Sequence, residues 1–409
     1  MTHKKIFIEE RDGFLKIAVT EGPHLSELFI EEEKSRSRIG NIYKGKVVST
    51  LPGLNSVFLD GGKENFFLPL EENEKASKGD ILLVQLQKEK RDKKAALVTL
   101  QISLPGRYLV YTPLAKKSGV SHKIEDASER KRLKSIMDDL QKEETSFLKR
   151  LFGATPQEGA FIIRTEAMGR DLKELQRDRK NLLHLWKLIK KREEHVREGL
   201  VFELENAVLK TVREKFTSEV TELLVNKREI YGLILQYVRT FFPELADRVK
   251  LDREKNLFRK YDLEKEITKI LSPKVDIPSG GYIVIQQTEA LTSVDVNSGK
   301  MIKGSPEENA YLVNKEAAHE LMHQIRLRNI AGIIIVDFIE MKSREKKNSI
   351  FKIIKEEAEK DKAKINILPL TSLGLLEMTR QRLREDILSK ITVHCAYCHG
   401  KGYLPKKGI

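Results

Sequence analysis

Read as a strand, the stretch EALTSVDVNSGK (289–300) sends Ser293, Asp295 and Asn297 to one face and Thr292, Val294 and Val296 to the other. A carboxylate and an amide side by side at a strand end can bind a charged group. A second carboxylate, Asp337, closes the apolar run IIIVD, and α/β sheets tend to present ligands at the C-terminal edges of their strands. If the two strands are neighbours, Asp295, Asp337 and Asn297 converge on one spot. Oxygen-only ligands with few charges suit magnesium, which keeps several waters and is completed by substrate phosphate. Such an ion polarises a phosphoryl oxygen and lowers the pKa of an attacking water. An aspartate at a strand end is also a common turn-former, so spacing alone leaves site and structure both open.

Three further groups carry chemistry. Cys395 and Cys398, the only cysteines, stand in HCAYCHGKGY, which resembles half of a zinc ribbon. A tetrahedral structural zinc needs four ligands, so either His394 or His399 completes the set or two chains contribute two cysteines each. In IIRTEA, Arg164 and Thr165 follow an apolar strand, where a fork of donors could grip a phosphate; a structural ion pair is the alternative. Phe58, Phe66 and Phe67 lie among Lys44, Lys46, Lys63 and Lys93. Aromatic platforms among lysines hold single-stranded nucleic acid on OB barrels, while at least one of the three rings is expected to be core.

These residues need elements to position them. From about 36 to 118, short alternating apolar runs broken by Pro52-Gly53 and Gly61-Gly62 predict five or so strands and a small barrel of OB type. From about 119 to 205, a charged helix, the strand of EGAFIIRTEAMG and a long helix follow. Residues 206–272 read as helical over LKTVREKFTSEVTELLVNKREIYGLILQYVRTFF and then as short polar segments. In the last third, the strands GYIVIQQ and TSVDVNS precede a helix capped by Ser305, with Pro306 in its first turn and Glu308 completing a capping box. AGIIIVDFIEM reads as a strand buried on both faces. A helix after Ser343, a strand INILPL and a basic helix LGLLEMTRQRLREDIL complete an α/β layer with a largely central sheet.

Composition sets the class. The 409 residues are 40% hydrophobic and 33% charged, and allow two to four domains. No run of about 18 apolar residues offers a membrane span, and MTHKKIFIEERDGFLKIAV reads as a first strand or hairpin rather than a signal peptide, so a cytoplasmic protein is expected. Lys and Arg total 75 against 61 acids, a net charge of +14, which fits a polyanionic partner and equally a solvated lysine-rich surface, so charge alone leaves both open.

Nine motifs, NIYKGKV, FLPL, SLPGRYLV, IIRTEA, PSGGYIVI, TEALTSVDVNSG, IIIVDFIEM, GLLEMTRQRL and CAYCHGKG, occur in the order found in the ribonuclease E/G family of bacterial endoribonucleases. The resemblance runs from about residue 36 to the end, and SVDVNSG and CAYC look more like the ribonuclease G branch. It implies that Asp295 and Asp337 hold a catalytic magnesium and that Asn297 helps orient the attacked phosphate. It implies that Arg164 and Thr165 sense a 5′-monophosphate, that Phe58, Phe67 and Lys93 clamp RNA, and that Cys395 and Cys398 share one zinc between two protomers of a homodimer. The implied fold is α/β multidomain. Residues 1–36 and 206–272 form a ribonuclease H-like subdomain, 37–118 the OB-type RNA-binding barrel and 119–205 the 5′-end sensor. A DNase I-like catalytic subdomain spans 273–390 and a zinc-link segment 391–409.

The implied activity is magnesium-dependent cleavage of single-stranded RNA, in ribosomal RNA precursors and messenger RNA, leaving a 5′-phosphate and a 3′-hydroxyl. Three departures modify this. The sequence stops at Ile409, where relatives continue into a small domain that pairs dimers, so that domain is expected to be absent. His122 and Lys123 stand where arginines are common, predicting weaker or more pH-dependent end sensing. Lys94 replaces a common glycine and adds charge near the RNA path. The competing class is a non-catalytic RNA-binding scaffold, against which the Asp295, Asn297 and Asp337 set argues; a DNA-directed nuclease is a third.

Overall fold

The computed structural model describes residues 3–32, 37–71, 74–90, 95–152 (backbone alone over 141–152), 159–204, 206–299, 304–371, 374–393, 395–398 and 402. The chain forms two compact units, one of Met1–Lys34, Glu219–Tyr231 and Arg248–Ile409, the other of Ser35–Ser218 and Gly232–Asp247. Among the described residues no helix is long and apolar enough to cross a membrane.

The first unit holds two sheets. One runs Val249–Leu251, Val220–Val225, Lys4–Arg11, Phe14–Glu21, His24–Glu32 in spatial order; its last three strands are antiparallel and its first three parallel. Phe7, Ala18, Leu25, Leu28 and Ile30 pack there with Leu257, Phe258 and Leu263. The segment read as one helical stretch is therefore a helix, Ala207–Lys215, the strand Val220–Val225 and a second helix, Arg228–Phe241. The strand wins because Leu223, Leu224 and Val225 pair with Ile6, Phe7 and Ile8 and are buried by them, a contact invisible to local propensity.

The second sheet carries the aspartates. Its order is Lys274–Asp276, Tyr282–Gln287, Leu291–Asn297, Gly332–Asp337, Leu375–Arg380, Ile365–Ile367. Only the Leu291–Asn297 and Gly332–Asp337 strands run parallel, so they need a crossover, supplied by the helix Pro306–Arg328. That helix has the expected Ser305–Glu308 capping box and ends at Asn329 in the left-handed conformation. It packs with the helix Arg344–Glu359 on one face of the sheet, where Val313, Ala317, Leu321, Ile350 and Ile354 meet Val294, Val296, Ile334, Val336, Leu376 and Met378.

The sheet is not central. Ile333 is 50% exposed and Ile335 half-buried, on the face shared with Asp337, so the isoleucine run alternates like a strand covered on one side. The expected basic helix is also a strand at its start, Leu375–Arg380, with a short helix only at Ile387–Ile391. Leu376 and Met378 enter the core at a spacing of two, and this burial overrides the helix propensity of Leu, Glu, Met and Arg.

The second unit contains a closed five-stranded barrel: Ile42–Leu51, Ser56–Asp60, Asn65–Pro69, Ala96–Thr99 and Ile81–Lys88, the last pairing back to the first. Val47, Val57, Leu59, Phe66, Leu68, Val84, Leu86 and Val98 fill it. Beside the barrel in sequence lies a small sheet of Gly119–Val120, Ala160–Ile163, Leu109–Thr112 and Leu104–Pro105. The helices Ala127–Phe152 and Leu172–His195 accompany it, the second opened by an Asp171–Glu174 capping box.

Candidate active site

Register brings the two aspartates together. Val294 and Val296 on one strand and Ile334 and Val336 on the next are buried, each worth about 1.5–3 kcal/mol of burial. Sliding either strand by one residue would put its aspartate into the core. The aligned register makes Asp295 and Asp337 direct partners across the parallel pair, on strands about 4.8 Å apart. Both are exposed on the open face. Asn297, two residues on, donates from Nδ2 to Asp295 Oδ2 at 2.8 Å, which fixes the carboxylate and leaves the second amide N–H for another acceptor. In the aspartate row, Val284 and Leu375 flank the pair; one row along, Tyr282 stands opposite Asn297.

Two carboxylates at paired positions are the donor chemistry that a hard cation takes. No group of three or more His, Cys, Asp or Glu side chains able to hold a metal occurs among the described residues. The platform offers two carboxylates, with the Asn297 amide hydrogen-bonded to one of them. That matches magnesium, which is commonly held by one or two carboxylates with waters and phosphate filling the rest.

The sequence profile of the Ribonuclease E/G family matches residues 103–383. Ribonuclease G of Escherichia coli K12 is 32% identical over 412 residues, spanning 95% of this chain and 81% of that protein. Ribonuclease G of Haemophilus influenzae is 33% identical with the same coverage. Ribonuclease E of H. influenzae is 32% identical over 411 residues, 95% of this chain and 42% of that longer protein. The chain belongs to the ribonuclease E/G family.

In this ribonuclease E/G chain Phe66 is fully buried barrel core, whereas Phe58 and Phe67 face outward as a cross-strand pair with ring centroids 5.5 Å apart. Ser49 and Leu97 extend the same row on the neighbouring strands. Lys44 does not join them; its Nζ donates to the Glu193 carbonyl at 2.8 Å. Lys93 and Lys94 lie outside the described residues.

Arg164 directly follows the strand Ala160–Ile163 and caps the 3-10 turn that Thr165 opens. The Arg164 guanidinium donates to the Gly106 carbonyl at 2.6 Å and to Glu166 at 3.2 Å, and Glu214 lies 3.8 Å away. Thr165 Oγ1 donates to Glu166 at 3.2 Å. His122 and Lys123 are exposed on a loop whose Ser121 and Ile124 carbonyls are held by Arg130.

Sequence reasoning missed the residue beneath this arrangement. Asp178 lies on the apolar stripe of its helix with Leu175, Leu182, Leu185 and Ile189. Its carboxylate accepts the backbone N–H groups of Arg107, Tyr108 and Leu109 at 3.1, 2.7 and 2.8 Å. Burial pushes its carboxyl above the ordinary aspartate range against the pull of those three bonds and of Arg107. A Cβ on Gly106 would come within 2.5 Å of Asp178 Oδ2, so glycine alone fits there. The available signal was a lone charge at i, i+3 spacing on an otherwise apolar stripe.

Cys395 is exposed and Cys398 half-buried. Hydrogen bonds from the Cys398 and Tyr397 backbone N–H groups, and from the Cys398 thiol, pull the Cys395 thiol below its usual value, as suits a thiolate ligand. Two thiolates are half of what a tetrahedral zinc needs; His394 and His399 lie outside the described residues.

Proposed function

We propose that this ribonuclease E/G endoribonuclease cuts single-stranded RNA by in-line hydrolysis at the Asp295–Asp337 platform, leaving a 5′-phosphate and a 3′-hydroxyl. The observation that carries the reading is the direct pairing of two exposed aspartates across parallel strands whose register the core fixes. Two carboxylates at directly paired positions on one open face are a donor pair suited to a cation between them. Asp295 and Asp337 hold magnesium, and Asn297 keeps Asp295 aimed while its free N–H meets a phosphate oxygen. When bound, magnesium polarises the phosphoryl oxygen and lowers the pKa of the attacking water.

Phe58 and Phe67, with Lys93, seat RNA bases on the barrel's outer face. Arg164 and Thr165 take a 5′-monophosphate in exchange for their bonds to Glu166, giving preference for monophosphorylated ends. Cys395 and Cys398 hold a zinc shared with a second copy of the chain. The substrates are ribosomal RNA precursors and messenger RNA, and the site of action is the cytoplasm. The spatial order of the five-stranded sheet, an antiparallel trio followed by two parallel strands, supports a ribonuclease H-like subdomain. The mixed six-stranded sheet with helices on one face supports a DNase I-like one.

The test is cleavage of a short single-stranded RNA, 5′-monophosphorylated or 5′-hydroxyl, by wild type, Asp295→Asn and Asp337→Asn. Each variant is expected to lose activity by about 10²–10³-fold, the scale of removing one preorganised electrostatic contact, while still binding RNA. EDTA should stop wild-type cutting and spare binding. Variants that cut as well as wild type would make the aspartates structural; tight binding without any cutting by wild type would favour the scaffold reading.

A further inference from the structure

The open face of the aspartate sheet carries one aromatic ring beside the platform, on the strand Tyr282–Gln287. In that antiparallel pair Tyr282 is the direct partner of Asn297 and Val284 of Asp295. Directly opposed residues place their Cβ atoms about 4.5–5.5 Å apart, and diagonal ones about 7–8 Å, within reach of an aromatic side chain. Tyr282 thus stands directly opposite Asn297 and diagonal to Asp295.

Its placement is tightly determined. A Cβ at Gly281 would stand 2.6 Å from the Asn297 carbonyl oxygen, so the backbone before Tyr282 lies directly against the catalytic strand. The alternate residues Ile283 and Ile285 are buried on the helix side, which leaves the half-buried Tyr282 ring on the open side. Lys274, on the neighbouring edge strand and paired with Val284, sets its Nζ 4.2 Å from the Tyr282 ring centroid. The same Nζ lies 3.2 Å from Asp276, and the Lys274 side chain is 52% exposed.

A ring and an ammonium in this relation match the two faces of a nucleotide. The ring offers a π-surface on which any base stacks, and the ammonium offers a point charge for the phosphodiester. We propose that Tyr282 and Lys274 form a nucleotide subsite beside the cleavage centre, in which the ring takes the base of a nucleotide flanking the scissile phosphate and Lys274 takes its phosphodiester. The proposal rests on the platform being where RNA is cut. Stacking is tolerant of base identity, so the subsite positions the chain rather than reading its sequence. Lys274 exchanges its exposed contact with Asp276 for the phosphate while its stem stays along the ring.

The experiment uses the full chain with magnesium and an oligoribonucleotide cut at one mapped position. Abasic residues replace, one at a time, the nucleotides on either side of that position. In wild type, one abasic position should raise KM by about 5- to 100-fold, the range of base–aromatic stacking, with kcat changed less than about threefold. Tyr282→Leu keeps an apolar side chain without the ring. It should raise KM on intact RNA by a similar factor and be indifferent to that abasic position. Tyr282→Phe should behave as wild type, and Lys274→Gln should weaken binding and flatten its salt dependence. A Tyr282→Leu enzyme that keeps the wild-type abasic profile overturns the subsite. Activity surviving in Asp295→Asn instead overturns the platform, so the two failures are distinct.

Discussion

Asp178 is expected to act as a latch under the Arg164 turn, and removing it should be measurable in both stability and end preference. In Asp178→Ala the N–H groups of Arg107, Tyr108 and Leu109 lose their acceptor. An unpaired buried donor costs about 1–3 kcal/mol. Arg107 and Tyr108 are half-buried and can rehydrate, whereas Leu109 is fully buried. The loss should therefore be about 3–4 kcal/mol rather than three full penalties. In Asp178→Asn an amide oxygen can still serve Tyr108 and Leu109, while its NH2 group opposes the Arg107 N–H, for a loss of about 1–2 kcal/mol. Equilibrium urea unfolding near neutral pH measures both. The same turn supplies the Gly106 and Tyr108 carbonyls that receive the Arg164 side chain and backbone N–H. The kcat/KM ratio between 5′-monophosphorylated and 5′-hydroxyl RNA should fall toward one in Asp178→Asn while cleavage of the 5′-hydroxyl substrate holds. Equal losses below about 0.5 kcal/mol in both variants, small beside one broken buried bond, would refute the latch.

Arg380 makes a two-pronged contact to Asp361 at 2.8 and 3.2 Å and also donates to the Ile330 carbonyl, with both charged side chains at least 96% buried. Arg380→Met should cost about 3–5 kcal/mol by stranding the Asp361 charge, and the added Asp361→Leu should recover much of it, as read by urea midpoints. Glu129 is held at about 2 by hydrogen bonds from Arg132 and by the Gly169 N–H. Its native value lies below the unfolded one, so its contribution is complete above the ordinary glutamate range and is lost as pH falls from there toward 2. Unfolding followed across that acid window should show a slope that Glu129→Gln makes shallower; identical slopes would refute the assignment. Zinc analysis with sedimentation should give one zinc per two chains and a dimer that Cys395→Ser dissociates. One zinc per monomer would mean that a ligand within the same chain completes the site.

The alternation of TSVDVNS made the aspartate strand legible, because a β-branched face opposite Ser, Asp and Asn fits a sheet with one dry side. What faces that strand was only conditional in the sequence, since nothing local says that Gly332–Asp337 pairs with it or in which register. The core residues Val294, Val296, Ile334 and Val336 decide both. The Leu375–Arg380 strand was read as helix for the same reason: its good helix formers conflict with the spacing at which Leu376 and Met378 are buried. Least legible was the sheet of Lys4–Arg11 and Val220–Val225, whose partners are separated by about two hundred residues and carry no shared local signal.

Asp295, Asp178 and Asp361 show why a pattern-breaking charge is only half a functional argument. Each interrupts or adjoins an apolar pattern, and what decides its role is the element packed against it. Asp178 meets a turn offering three N–H donors, and Asp361 meets a guanidinium; both are consumed by the fold. Asp295 stands opposite another aspartate across the sheet and accepts a single amide from its own strand. A buried charge without partners would unfold the protein, but an exposed pair of like charges needs only solvent in the resting chain and gains from a cation. The aspartates left incompletely satisfied by the protein are thus the ones available for chemistry. That asymmetry, rather than the presence of acids as such, makes the open sheet face the place to look for RNA cleavage.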